Sequence, residues 1–176
     1  MRTWSLRRIH SVDEAQIGQL SDLLIDCVEG GASVSFMHPL SLERAVDFWR
    51  GVADGVARGE RALLVAQDES GIAGTVQVVL QMPENQPHRG EISKMLVHRR
   101  ARRRGMGALL MKVAENVARD AGKTLLVLDT ANGEAERLYA RMGWQRCGSI
   151  PDFALLPHGG LCATTIFYRT LGGHGR

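Results

Sequence analysis

One stretch of this chain, from residue 91 to residue 121, limits the fold more than any other. Residues 91–97 are predicted to form a strand, since they follow a loop that contains proline and glycine. Residues 106–121 are predicted to form a helix, because apolar side chains recur there with helical spacing: Leu109, Leu110, Val113 and Val117. Between the two lies RRARRRGMG, residues 99–107. A short turn of arginine and glycine must therefore join a strand to the start of a helix.

The remaining segments alternate between helical and strand periodicity. Ser11 and Glu14 are predicted to form a capping box that opens a first helix, which ends near Glu29. The order β, α, α, β, β, β, α, β, α, β, β predicts a mixed α/β fold whose sheet is covered by helices. The other predicted helices span 42–57 and 134–142, and the other predicted strands span 4–9, 61–67, 72–81, 124–128, 145–147 and 163–170.

Length and composition predict one soluble globular domain over residues 1–176. Apolar residues make up 44% of the chain and charged residues 23%, unlike a disordered or fibrous protein. The formal charge is +3, from 22 basic and 19 acidic residues. Without the five arginines of residues 99–104, 17 basic residues would stand against 19 acidic ones, a net charge of −2. Because the basicity is local, it argues against a nucleic-acid-binding protein.

The cysteines, histidines and apolar segments favour a cytoplasmic protein without a metal site. Cys27, Cys147 and Cys162 form no C-x-x-C pair, so we expect neither a zinc site nor a disulfide framework. The histidines show no metal-ligand spacing. No apolar run approaches the roughly 20 residues of a membrane span, and the first residues do not resemble a secretory signal. We therefore expect no metal and no membrane partner.

The turn that follows the strand is suited to hold an anion. The first N–H groups of a helix have no partner within the helix, and the helix dipole favours negative charge there. Gly105 and Gly107 lack a Cβ, so the backbone can approach phosphate oxygens closely. The spacing is neither a Rossmann fingerprint nor a Walker A loop. A phosphorylated ligand is predicted at residues 102–107, whereas Arg99 and Arg100 are expected in a solvated turn.

A second motif lies downstream of this turn. It reads N-x-x-A-x-x-x-Y-x-x-x-G-W, from Asn132 through Tyr139 to Trp144. Together with R-x-x-G-x-G after a strand, it resembles the GNAT superfamily of N-acetyltransferases. The resemblance implies a central mixed, mostly antiparallel sheet with a splayed parallel strand pair and helices on both faces. It also implies direct transfer of an acetyl group from acetyl-CoA to an amine, and it leaves a homodimer open because GNAT proteins often dimerise.

The resemblance assigns cofactor contacts residue by residue. Asn132 is expected beside the cofactor. The pantetheine arm is expected along the backbone of three strand residues: Met95, Leu96 and Val97. The pyrophosphate of acetyl-CoA is expected at the loop and the helix start: Arg102, Arg103, Arg104, Gly105, Met106, Gly107 and Ala108. Many members have proline where Arg99 stands and glycine where Arg103 stands, which implies a stiffer loop or an additional phosphate contact from Arg103.

Amide formation from a thioester needs an acid for the leaving thiolate and a route for the amine proton. Tyr139 matches the family tyrosine that commonly protonates the thiolate; the alternative is a half-buried packing tyrosine. Glu91 and Asp129 are candidates to bind the acceptor ammonium group or to accept its proton through water. The alternatives are a solvated strand end for Glu91 and a helix cap for Asp129. A backbone N–H near Leu96 or Val97 is expected to stabilise the oxyanion.

Two further segments bear on the acceptor. Residues 30–37 (GGASVSFM) and 161–168 (LCATTIFY) resemble the tabtoxin-resistance acetyltransferases. In acetyltransferases of this fold the segment between the first two helices commonly forms part of the acceptor site, which implies recognition by Ser33, Ser35 and Phe36. The predicted substrate is a small amine, amino-acid-like or a related toxin or antibiotic. The alternatives are a non-catalytic acyl-CoA-binding sensor or interaction module, and a nucleic-acid-binding protein.

Overall fold

The computed structural model describes residues 4–172, which form one seven-stranded sheet and four α-helices. The strand order is β1-β2-β3-β4-β5-β7-β6, and every neighbouring pair except β4–β5 is antiparallel. The predicted mixed α/β architecture is confirmed. The strands are β1 (Ser5–Ile9), β2 (Arg61–Asp68), β3 (Gly71–Val79), β4 (Arg89–Val97), β5 (Leu125–Thr130), β6 (Gln145–Leu155) and β7 (Leu161–Thr170). The helices are α1 (Glu14–Glu29), α2 (Leu42–Ala57), α3 (Met106–Asp120) and α4 (Gly133–Arg141).

The first helix is capped two residues later than predicted. The Asp13 carboxylate accepts the N–H of Gln16 at 2.8 Å, and the Gln16 side chain accepts the N–H of Asp13 at 3.0 Å. The predicted box of Ser11 and Glu14 is therefore wrong in position, although a capping box is present. An aspartate also places a negative charge at the positive end of the helix dipole, which a serine does not.

Helices cover both faces of the sheet and bury two apolar layers. On one face α1 and α2 pack over β2 and β3, where Leu20, Trp49 and Leu63 are each at most 1% exposed. On the other face α3 and α4 enclose Leu110 and Tyr139. Burying each large apolar side chain contributes about 1.5–3 kcal/mol. The sheet is thereby held from both sides around the place where β4 and β5 separate.

β4 and β5 run parallel and stay together for three residues. Residues 89–91 pair with residues 125–127, and no further pairing between the two strands follows in the described chain. β4 then continues to Val97 beside β3, while β5 continues to Thr130 beside β7. The two strands therefore separate toward their carboxyl ends, which is the splayed pair that the resemblance implies.

β4 also carries a β-bulge after it leaves β5. Its register with β3 shifts so that Lys94 and Met95 together lie opposite a single residue, Val76. Lys94 has a φ angle of +50°, which is uncommon for a residue other than glycine. A bulge bends the strand and redirects its side chains. The bulge thus falls where β4 has lost its neighbour on one edge.

The far edge of the sheet is longer than predicted. β6 spans residues 145–155 and β7 spans 161–170, whereas the sequence predicts strands over 145–147 and 163–170 only. Most of β6 is exposed, including Phe153 at 55%, and β7 is its strand partner. A strand without a buried face has no period-two apolar pattern, so periodicity underestimates it.

Neither a membrane span nor a metal cluster occurs within residues 4–172. The helices there are too short or too polar to cross a bilayer. No three of the His, Cys, Asp and Glu side chains in that range are grouped so as to hold a metal ion.

Candidate active site

A cleft of about 980 Å³ opens between the diverging ends of β4 and β5. Its walls include the loop before α3, the first turn of α3, part of α4 and residues 31–35. Three predicted site residues are not among its lining residues: Phe36, Glu91 and Arg104. The other predicted site residues all line it: Ser33, Ser35, Met95, Leu96, Val97, Arg102, Arg103, Gly105, Met106, Gly107, Ala108, Asp129, Asn132 and Tyr139.

The N-terminus of α3 faces this cleft. Gly105 is its N-cap, has a φ angle of +78°, and no side chain caps the helix. The first N–H groups of α3 therefore have no side-chain partner, and together with the helix dipole they make this end of the helix favourable for an anion. Glycine adopts this left-handed conformation at no steric cost, which explains the residue at this position.

Gly107 has a packing role that the sequence does not reveal. A Cβ at this position would lie 3.1 Å from Cδ2 of Leu138 in α4 and 3.7 Å from Cε of Met95. The absent side chain lets the first turn of α3 approach α4 closely. Phosphate approach, which the sequence predicts, is therefore not the only constraint on this glycine.

The three arginines of the loop have different surroundings. Arg102 Nε donates to the Val97 carbonyl at 3.1 Å. Arg103 lies 3.4 Å from the Glu134 carboxylate, and both side chains are exposed. The Arg104 guanidinium lies over the Trp4 ring, 5.3 Å from its centroid, and is not part of the cleft. This placement does not support the predicted phosphate contact of the Arg104 side chain.

Arg99 and Arg100 anchor the loop instead of lying in a solvated turn. Arg99 donates to the Asp26 carboxylate of α1 from its backbone N–H at 2.9 Å and from Nε at 2.7 Å. Arg100 donates to the Asp68 carboxylate at 2.8 Å and to the Gly71 carbonyl at 3.3 Å. The expectation of a solvated turn was wrong, because the sequence does not show that two acidic side chains approach the loop from distant elements.

One edge of β4 lines the cleft without a strand partner. In the described chain its pairing with β5 ends at Glu91, and Met95, Leu96 and Val97 follow along the cleft wall. The Val97 carbonyl accepts from Arg102 and from the Cys27 thiol, whose sulfur lies 3.7 Å away. Burial raises the pKa of that thiol. An extended ligand can pair with such an edge as an added strand does.

Tyr139 reaches the cleft from α4. It is 4% exposed, and its ring centroid lies 5.8 Å from that of Phe167 and 6.0 Å from that of Trp144. Burial and the negative charge of Asp129 raise the pKa of Tyr139 to about 12. The ring is thus packed, and its hydroxyl is fully protonated at neutral pH.

Glu91 lies inside a strand and beside a cation. β4 begins at Arg89, so Glu91 is the third residue of the strand and pairs with Val127 of β5. The Arg89 guanidinium lies 2.5 Å from the Glu91 carboxylate. Glu91 lines a neighbouring pocket of about 220 Å³. Because Arg89 offsets its charge, Glu91 attracts an acceptor ammonium group less strongly than an unpaired carboxylate would.

Asp129 faces the cleft from within β5. Its carboxylate accepts the Thr164 hydroxyl at 2.8 Å, and it lines both the cleft and the neighbouring pocket. The N-cap of α4 is Asn132, whose side-chain oxygen accepts the N–H groups of Glu134 at 2.8 Å and Ala135 at 3.3 Å. The alternative that Asp129 caps a helix is therefore wrong.

The α1–α2 loop is held against the β6–β7 end of the sheet. The His38 N–H donates to the Pro157 carbonyl at 3.0 Å. The Cys162 sulfur lies 3.8 Å from the Ser33 hydroxyl. The two segments whose sequences resemble tabtoxin-resistance acetyltransferases are thus in contact. Ser33 and Ser35 remain on the cleft wall.

Phe36 turns toward α2 and not into the cleft. Its ring packs edge-on against Phe48, with centroids 5.3 Å apart, and the Arg44 guanidinium lies 5.9 Å from its centroid. Phe36 therefore supports the loop that carries Ser35.

Lys94 is a candidate that sequence reasoning missed. It lines the cleft, its Nζ donates to the Ser35 hydroxyl at 3.2 Å, and it lies 5.8 Å from the centroid of the Phe48 ring. Burial lowers the pKa of Lys94, an effect that the charge of Asp129 opposes and that of Arg61 adds to. A sequence signal existed, because a lysine in the interior of a predicted strand is unusual.

Comparison with known proteins agrees with this geometry. The model of the acetyltransferase (GNAT) family matches residues 22–144, more than half of the chain. The chain belongs to the GNAT acetyltransferase family. A relative from Azospirillum brasilense, described as an uncharacterized N-acetyltransferase in the hisH–hisA intergenic region, is 28% identical over 127 residues, which are 71% of this chain and 74% of the relative.

Two solved acetyltransferase structures share the fold. The Salmonella typhimurium acetyltransferase YncA, solved with its cofactor acetyl-CoA, has a TM-score of 0.78 at 17% identity, over 98% of this chain and 96% of its own. The Sinorhizobium meliloti phosphinothricin acetyltransferase, in complex with acetyl-CoA, has a TM-score of 0.78 at 19% identity. The match covers 98% of this chain and 91% of the Sinorhizobium chain. Neither likeness singles out the tabtoxin-resistance branch of the GNAT family.

Proposed function

We propose that this protein is an acetyl-CoA-dependent N-acetyltransferase that transfers the acetyl group directly to the amine of a small molecule, amino-acid-like or a related toxin or antibiotic. The observation that carries the proposal is the uncapped N-terminus of α3, which faces the cleft between the separated ends of β4 and β5. An anion-binding helix end and a free strand edge in one cleft suit a ligand with a pyrophosphate and an amide-containing arm.

The acetyl-CoA contacts divide between the loop and the strand. The backbone of residues 102–108 would bind the pyrophosphate, and the Arg103 side chain, whose partner Glu134 is exposed, is free to turn toward a phosphate. The free edge at residues 95–97 would bind the pantetheine arm, with Asn132 beside it. When bound, acetyl-CoA supplies the activated acetyl group as a thioester. The two solved neighbours contain acetyl-CoA.

Tyr139 is proposed to assist departure of the thiolate. Its pKa of about 12 lies above the ~8.5 of a free thiol, so full proton transfer from Tyr139 to a thiolate is uphill by itself. The hydroxyl can still stabilise the developing negative charge by a hydrogen bond. We infer that Tyr139 gives its proton to the thiolate only when a proton released by the acceptor amine can replace it on the Tyr139 hydroxyl.

Asp129 is the carboxylate better placed for the acceptor amine. It faces the cleft, whereas Glu91 is paired with Arg89 and lies outside the cleft lining. A carboxylate is a much weaker base than an alkylamine. Asp129 is therefore proposed to bind and orient the ammonium group of the acceptor, whose proton then passes to water.

The direct test is release of free thiol from acetyl-CoA by the purified protein with a panel of primary amines. CoA binding is measured alongside by calorimetry, and the acetylated amine is identified by mass spectrometry. We expect thiol release with at least one amino-acid-like amine. CoA binding without release from any amine would contradict the transferase and favour an acyl-CoA-binding module.

A further inference from the structure

Lys94 of β4 and Ser35 of the α1–α2 loop meet on the cleft wall, and both have left-handed backbones. Their φ angles are +50° and +77°, and Lys94 Nζ donates to Ser35 Oγ at 3.2 Å. Residues with a side chain adopt this conformation at an energetic cost, and such strain collects at functional sites. The fold thus holds an ammonium group and a hydroxyl together in conformations that the local sequence does not favour.

The Lys94 ammonium group has neutral partners in the described chain. They are the Ser35 hydroxyl and the face of the Phe48 ring, and no ion pair joins Lys94 to a carboxylate of residues 4–172. Its position is partly buried, and burial lowers its pKa. A cation that has no ion-pair partner among residues 4–172 and has lost part of its hydration attracts a negative ligand group more strongly than a fully hydrated one does.

Arg61 adds a second positive charge near Lys94. Arg61 NH1 donates to the side-chain oxygen of Gln77 at 2.8 Å, and Gln77 pairs with Ser93, the residue before Lys94. Arg61 Nε and Gln77 Nε2 are buried and have no acceptor among residues 4–172. The positive charge of Arg61 lowers the pKa of Lys94. Neither Arg61 nor Gln77 lines the cleft, so Arg61 contributes its positive charge, and no hydrogen bond, toward a negative group beside Lys94.

The opposite charge lies on the other strand of the splayed pair. Asp129 of β5 lines the same cleft as Lys94 of β4. The negative charge of Asp129 acts to raise the pKa of both Lys94 and Tyr139. A cation on one strand and a carboxylate on the other are complementary to a molecule that carries both an acid group and an amine.

We propose that Lys94 determines acceptor specificity by binding a carboxylate that the acceptor carries close to its amine, with the Ser35 hydroxyl as a second contact. The inference rests on the proposed transferase function and names the acceptor as an amino acid with a free acid group. Lys94 remains protonated, and no bond is made or broken at it. A Lys94 that acted as a base would instead affect turnover of every acceptor.

The experiment compares amino acids with their carboxamides in the thiol-release assay. Methionine, leucine and phenylalanine are paired with their amides, and phenethylamine represents amines without an acid group. Wild type, Lys94→Met and Lys94→Arg are measured at saturating acetyl-CoA, with the exposed Lys112→Met as a matched control. The amine of an amino-acid amide is less basic than that of the free acid, so the two differ in reactivity before Lys94 is considered. The quantity compared is therefore the ratio of kcat/KM for the acid to kcat/KM for the amide, and how it changes from variant to variant.

We expect Lys94→Met to raise KM for the acids about 10–100-fold, which is the usual contribution of a charged hydrogen bond. Its kcat/KM for the amides should stay within about twofold of wild type, and Lys94→Arg should restore part of the acid preference. A second variant, Ser35→Gly, removes the hydroxyl and permits the left-handed backbone. It should weaken binding of the acids and leave binding of the amides unchanged.

Several outcomes would overturn the inference and leave the transferase standing. One is an equal loss of kcat for acids and amides in Lys94→Met, which would indicate a base or a structural role. Another is an acid-to-amide ratio that Lys94→Met does not change, and a third is acetylation of phenethylamine alone. If no probe releases thiol although CoA binds, the proposed function itself fails, and the role of Lys94 fails with it.

Discussion

The Arg99 guanidinium and the Asp26 carboxylate meet at 2.7 Å and join the loop before α3 to helix α1. Asp26 also accepts the Arg99 backbone N–H at 2.9 Å, and its side chain is 10% exposed. Burial by itself would raise the pKa of Asp26, but the hydrogen bonds of Arg99 and the charges of His98 and Arg99 outweigh it and hold the pKa below its usual value. An ion pair therefore fixes this loop at the position where many GNAT proteins have a proline.

Asp26→Asn should lower the free energy of unfolding at pH 7 by about 1–3 kcal/mol, because a neutral amide loses two charge-assisted bonds in a buried position. The folded pKa of Asp26 is depressed. Its stabilisation is therefore complete above the unfolded aspartate pKa near ~4 and is lost as the pH falls through the folded value. Urea unfolding is measured at several pH values from 7 to 2. The difference in the free energy of unfolding between wild type and Asp26→Asn should become smaller below about pH 4.

The control for this prediction is Asp22→Asn, an exposed carboxylate on the same helix. It should change stability by less than about 0.5 kcal/mol at any of these pH values. A difference between wild type and Asp26→Asn that stays constant down to pH 2 would contradict the linkage.

Tyr139→Phe should lower kcat about 100-fold or more, the usual range for loss of a general acid. CoA affinity should stay within about twofold and stability within about 1 kcal/mol, because the phenyl ring keeps its packing against Phe167 and Trp144. With a pKa of about 12, Tyr139 should add no basic limb to the rate profile below about pH 10. Tyr168→Phe, on β7, is the matched control, and equal turnover of the two variants would remove Tyr139 from the chemistry.

Asp129→Asn should raise KM for the acceptor about tenfold or more, because the amide no longer attracts an ammonium group. Glu91→Gln should change the same constant by less than about threefold, since Arg89 already offsets the Glu91 charge. Thr164→Val removes the hydroxyl that donates to Asp129 and keeps the carboxylate, so it separates orientation from charge. Steady-state kinetics with the acceptor varied decide the case. A larger effect from Glu91→Gln would reverse the assignment.

The cofactor side of the cleft could be predicted from sequence because its pattern is local. Arg102, Gly105 and Gly107 are close together in the chain, and a strand, a turn and a helix place them at one helix start. The spacing from Asn132 to Tyr139 spans one short helix in the same way. Local spacing survives folding, so these residues line one cleft as expected.

The acceptor side could be predicted only in part: Ser33, Ser35 and Asp129 line the cleft as expected, but the contacts that join distant segments there could not be predicted. Lys94 and Ser35 are 59 residues apart, and Arg99 and Asp26 are 73 apart. Neither pair has a sequence spacing that predicts contact. The β-bulge that directs Lys94 is a register shift against β3 and is equally invisible in one strand's sequence.

Gly105→Ala should lower the free energy of unfolding by about 1–2 kcal/mol through the backbone alone. Its φ angle is +78°, and a Cβ built there meets nothing within 4 Å, so no steric clash contributes. Gly105→Asn is the matched control: asparagine tolerates the left-handed region better than alanine does, so it should stay within about 0.5 kcal/mol of wild type. Because the first N–H groups of α3 face the cleft, Gly105→Ala should also weaken CoA binding. Urea unfolding and CoA calorimetry measure the two effects; if the alanine variant matches the asparagine variant in both, the left-handed cap does not position this end of α3.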